Sequence, residues 1–204
     1  MKLLAGVLLG VAIIAFAVAL LRSGRAAGAW QEFAHAHGFR IEGRTKTQPI
    51  GRVVGEFDDC PVRLEILTTS DLHRTRYRSY TKMSVWIDGA PSGLSVTERM
   101  PMPKVLEGFT SKLRGAVGVP TEIESEDDEF HASHSVRGDD ARRVLAWLTP
   151  SRRRVLREFC ADDGYLVTGS AVAWTDRFAP TSVRRLEEIY ARLTEAARAL
   201  GSLR

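Results

Sequence analysis

Val62-Arg63-Leu64-Glu65-Ile66-Leu67-Thr68-Thr69 decides the fold class of this chain. Val62, Leu64, Ile66 and Thr68 alternate with Arg63 and Glu65, the period of two of a strand with one face buried and one face wet. Upstream, Ile50 to Phe57 reads as a partner strand, joined through Asp58-Asp59-Cys60-Pro61. Downstream, Thr81, Met83, Val85 and Ile87 repeat the alternation. Asp88-Gly89 marks a turn, and Gly93 to Glu98 returns as the next strand. Thr121 to Ser125 and Glu129 to Val136 predict a hairpin around Asp127-Asp128. Tyr165 to Thr168 and Ala171 to Thr175 predict another about Gly169-Ser170.

Helical spacing appears between and after these strands. Trp30, Phe33, Ala34 and His37 fall at i, i+3, i+4 and i+7, with Gly38 as a stop. Lys104 to Leu113 predicts a helix between prolines. Gly138-Asp139-Asp140 opens a helix through Trp147, and Thr149-Pro150 caps another to Ala161 with the stripe Val155, Leu156, Phe159 and Cys160. Thr181 or Ser182 caps the last, whose buried face is Leu186, Ile189, Tyr190, Leu193, Ala197 and Leu200. The expectation is one α+β domain over residues 30–204. It has an antiparallel sheet of about eight strands and helices packed mainly from the C-terminal half.

Leu3 to Leu21 is nineteen residues without a charge, flanked by Lys2 and by Arg22 and Arg25. As a helix it spans about 28 Å, close to the hydrocarbon core of a bilayer. The reading is a single transmembrane anchor over residues 1–22, with 23–29 as a short linker and the bilayer as partner through residues 3–21. A cleaved signal peptide is the alternative, with small residues at Ala17-Val18-Ala19 and Ala27-Gly28-Ala29. Lys2 on one side against Arg22, Arg25 and Arg40 on the other leans toward a cytoplasmic domain. Trp30 suits either a membrane interface or the domain's own core. Cys60 and Cys160 pair in an oxidising compartment or stay as buried thiols in a reducing one.

The formal charge of +4 comes partly from this segment. Lys2, Arg22 and Arg25 meet no acid in the first 29 residues, which leaves 26 basic against 25 acidic residues in the rest, or +1. A near-neutral domain does not favour nucleic acid, whose binding rests on phosphate neutralisation. No G-x-S-x-G, Walker A, dinucleotide-binding glycine pattern, H-E-x-x-H or paired C-x-x-C occurs. Ser79-x-x-Lys82 copies the serine β-lactamase pattern, but on a strand those two residues face opposite ways. His35 and His37 diverge on a helix, and His131 and His134 diverge on a strand, so neither pair chelates a metal. Glu122, Glu124, Glu126, Asp127, Asp128 and Glu129 read as a solvated hairpin tip. Arg152-Arg153-Arg154 reads as a solvated helix face, with Arg154 able to pair with Glu158. No metal and no cofactor is expected. The best binding candidate is an extended segment that puts Arg74, Arg76, Arg78, Tyr80 and Lys82 on one face. Its guanidiniums suit an anionic headgroup or an acidic protein partner.

Phe130-His-Ala-Ser-His-Ser-Val-Arg-Gly-Asp-Asp140 with the two helices after it, the Gly51-x-x-x-Gly55-Glu-Phe strand and the Thr81-x-Met83-x-Val85 strand resemble a layout in uncharacterised bacterial proteins. Those proteins carry an N-terminal membrane helix and an α+β domain. The resemblance implies architecture and a bacterial membrane location, and it brings no activity. The resulting expectation is a non-catalytic binding or scaffold domain held at a bilayer by a single pass, in an oligomeric state the sequence leaves open. The alternatives are a secreted binding protein, or an envelope-associated enzyme whose site combines His131 or His134 with Asp139 or Asp140.

Overall fold

The computed structural model describes residues 23–43, 50–70, 77–99, 122–125 and 127–201. The strands are β1 (Arg40–Glu42), β2 (Arg52–Phe57), β3 (Cys60–Ser70), β4 (Tyr77–Trp86), β5 (Ser95–Glu98), β6 (His134–Arg137), β7 (Tyr165–Thr168) and β8 (Ala171–Asp176). The helices are α1 (residues 23–36), α2 (Asp128–Ser133), α3 (Ala141–Trp147), α4 (Pro150–Cys160) and α5 (Val183–Leu200). All eight strands join one antiparallel sheet in the order β1-β2-β3-β4-β8-β7-β5-β6. The fold is α+β, with most helices in the C-terminal half, as the alternation predicts. No helix among the described residues is long and apolar enough to cross a membrane, and Leu3–Leu21 lies outside them, as does the helix expected over Lys104–Leu113.

Two compact units divide the chain. The first draws on Met1–Glu56, Pro61–Met83 and Asp176–Ala191. Its buried side chains include Trp30, Phe33, Val53, Val62, Leu64, Met83, Leu186 and Ile189. The alternation of β3 and β4 is visible in burial, with Val62, Leu64, Thr81 and Met83 inside. Trp30 is wholly buried, so the indole packs into this unit. Residues 23–29, expected as a linker, are helical within α1, with Ala26 and Ala29 buried. Small residues that look like a flexible spacer in composition are also good helix formers and allow close packing.

The second unit comprises Phe57–Cys60, Ser84–Thr175 and Arg192–Arg204. Its buried side chains include Val96, Phe130, Val136, Leu156, Val167 and Leu193. β4 and β5 are not neighbours, although their turn suggests a hairpin. The chain between them rounds the β7–β8 turn instead. The Ile87 N–H donates to the Ser170 carbonyl at 3.0 Å, and the Ser170 N–H donates to the Leu94 carbonyl at 3.2 Å. Gly169 and Ser170 both have positive φ, the requirement of a two-residue turn that matches strand twist. Asp58 and Asp59 do the same between β2 and β3.

The hairpin expected at Asp127-Asp128 is corrected. Asp127 is an N-cap whose carboxylate accepts the Phe130 N–H at 2.9 Å, and residues 128–133 are helical. Asp128 and Glu129 then occupy the first turn, where the helix dipole favours acids. Of the strand expected before it, Glu122 bridges Arg137. His131 is therefore on a helix, and only His134 is on a strand. The caps of α3 and α4 at Asp140 and Thr149 are as read, and Ser182 caps α5 by accepting the Arg185 N–H.

Candidate functional site

Arg74 and Arg76 lie outside the described residues, and Arg78 is placed in β4. Tyr80 and Lys82 sit two apart on that strand and are both half-buried. Burial pulls the Lys82 ammonium below its ordinary pKa, Glu65 on β3 acts against this, and Arg63 adds to it. Glu65 also pairs with Arg52 of β2 at 2.9 Å. Lys82 thus lies within the electrostatic reach of Glu65 and Arg63 on the neighbouring strand. Ser79 is exposed on the strand, so the Ser79-x-x-Lys82 pair has the opposed parity expected of it.

The arginine run is corrected in two of its three members. Arg152 donates to the carbonyls of Leu200 (2.9 Å), Trp147 (3.1 Å) and Gly201 (3.3 Å), and stacks 4.8 Å from the Trp147 ring centroid. It closes the C-terminus of α5, where the dipole favours a cation. Arg153 donates to the Leu148 carbonyl at 2.9 Å and faces Asp127 at 3.0 Å. Arg154 alone is solvated as read.

The acidic segment is more than a solvated tip. Asp127 meets Arg153 and Arg157, Glu129 meets Arg157 at 3.1 Å, and Glu122 pairs with Arg99. The Phe130 N–H is the largest cause holding the Asp127 carboxyl below its ordinary value. Desolvation opposes it, and the two guanidiniums reinforce it. No group of three potential metal ligands occurs among the described residues.

His134 and Asp139 flank β6 at opposite ends, roughly 16 Å apart for five extended residues. His134 is buried, stacked on Phe130 at 4.7 Å and bonded through Nδ1 to Ser133 Oγ at 2.8 Å. Burial lowers its pKa, a Phe130 carbonyl bond and Glu98 oppose this, and Arg157 adds to it. Asp139 accepts from Ser92 Oγ, and Asp140 caps α3. These groups serve the fold locally and do not converge. Cys160 is buried and in no disulfide, and burial pushes its thiol up to about 12.

One constellation escaped the sequence. His37 Nε2 reaches both oxygens of Glu187 on α5, at 3.0 and 2.9 Å, inside a ring of Phe33, Phe39 and Tyr190 with centroids 4.6–5.3 Å away. Phe33 and His37 were legible as one helix face, but Glu187 is 150 residues away and has no local signal. A cavity of about 200 Å³ lies against α4 and α5, lined by Val155, Phe159 and Ala196 with Glu158, Arg192 and Glu195. It is smaller than ordinary ligand pockets. Arg192 is committed to Asp162, to the Glu158 and Phe159 carbonyls and to the Tyr165 ring.

No protein-family model matches this chain, and no curated protein and no solved structure matches it.

Proposed function

We propose that this chain is a non-catalytic binding domain held at a bacterial membrane by a single apolar segment, Leu3–Leu21, and that it binds a partner protein or an anionic headgroup there. The observation that carries the reading is the uncharged nineteen-residue run with basic flanks. A second observation supports it. α1, described from residue 23 onward, packs into the first unit through Ala26, Ala29, Trp30 and Phe33. A tether joined to a packed helix holds a domain close to the surface, where its ligands are concentrated. The titratable groups set out above serve caps, ion pairs and stacking, which suits binding better than turnover.

The headgroup version assigns contact to Arg74, Arg76 and Arg78, with Tyr80 alongside and Lys82 half-buried. The direct test is the intact mass of the chain extracted from membranes. A mass of 22.6 kDa is expected. A product shortened at Ala19 or Ala29 would instead make residues 1–29 a leader and the domain a secreted one.

A further inference from the structure

We infer that the α3–α4 corner is a docking surface for an anionic lipid bilayer, an inference that rests on the tethered reading above. Residues 141–157 contain six arginines and no acid. Arg152 and Arg153 are tied to backbone carbonyls, and Arg157 to Asp127 and Glu129. That leaves Arg142, Arg143 and Arg154, all exposed. Arg142 and Arg154 make no ion pair with a described residue. The side chain of Arg143 is 81% exposed, and its contact with Asp140 is a loose 3.6 Å.

The geometry of α3 puts an apolar group among these cations. Val144 and Trp147 are buried, so at 100° per residue Arg142 and Ala146 point the other way. Leu145 stands one turn from Arg142 and is 41% exposed; among the described residues only Phe178 is another large hydrophobic this open to water. A leucine one turn from Arg142 and two residues from Arg143 on a short helix suits the interface between headgroups and acyl chains. The cations pair with phosphate there, and the apolar group enters below. A nucleic acid would satisfy the arginines but has no place for Leu145. For a tethered domain the bilayer is also always within reach.

The test uses the full chain reconstituted in phosphatidylcholine vesicles, with or without phosphatidylserine, and follows amide hydrogen exchange in residues 142–147. Slower exchange is expected only with phosphatidylserine. Each arginine removed weakens the contact about fivefold and all three roughly hundredfold. Arg142→Ala/Arg143→Ala/Arg154→Ala therefore abolishes the lipid-dependent protection, while exchange in α5 stays native and reports an intact fold. Leu145→Ser reduces the protection in part. A chain embedded in both vesicles with equal exchange in both overturns the docking surface and leaves the tether standing. So does protection that survives the triple variant. A chain that enters neither vesicle overturns the tether and this inference together.

Discussion

Three consecutive arginines show how far residue type is from residue role. Arg152 gathers three carbonyls and a ring, Arg153 a carbonyl and a carboxylate, and Arg154 only water. Arg152→Ala is expected to cost about 2 kcal/mol, because the α5 carbonyls lose a charged donor. Arg154→Ala should stay within about 0.5 kcal/mol. Urea midpoints of the two variants check the contrast. The run reads as solvated because its partners are up to 49 residues away, beyond any local pattern. His134 and Asp127 are two of the groups that contribute to the response to acid. Burial holds the His134 imidazole below its ordinary 6.5, so the unfolded chain takes up that proton first. Its stabilising effect is complete above 6.5 and is lost as the pH falls from there to the folded-state value. Asp127 is depressed below 3.8, so its contribution is full above that value and disappears as the pH falls through the folded one. Denaturation midpoints against pH should decline in these two windows. His134→Phe should flatten the upper window and Asp127→Asn the lower.

At the scale of elements, local signals were legible wherever the partner is near in sequence. The alternation of β3 and β4, the Asp140 and Ser182 caps and the Gly169-Ser170 turn all hold. The segment around Asp127 was misread, because an Asx cap and a turn use the same residue. What decides between them is the Phe130 ring, which is wholly buried and stacked on His134. The separation of β4 from β5 by the β7–β8 hairpin was also out of reach, since strand order depends on pairings more than 70 residues apart. Gly55 records a contact that the sequence names without explaining. A Cβ there would overlap the Phe39 ring, which is itself packed against Phe33, His37 and Tyr190. Gly55→Ala is therefore expected to destabilise by about 1–3 kcal/mol through overpacking. Calorimetry of this variant, with Gly38→Ala as a strained but uncrowded control, separates the clash from backbone effects.

For the whole molecule, the sequence proposes a location and offers no ligand. The arginine face over Arg74–Lys82 rests on parity alone, and parity cannot show that Lys82 is half-buried. The His37–Glu187 clasp and the α3–α4 corner depend on which side chains tertiary packing leaves exposed, and no sequence pattern encodes that. The apolar run is read without tertiary context, because nineteen uncharged residues would match the thickness of a bilayer as a helix. The most direct measurement is fractionation of cells producing the full chain, with membranes washed in high salt and then in alkaline carbonate. The protein should stay in the pellet through both washes and be released only by detergent. Full-length protein in the detergent-free supernatant would contradict the anchored account.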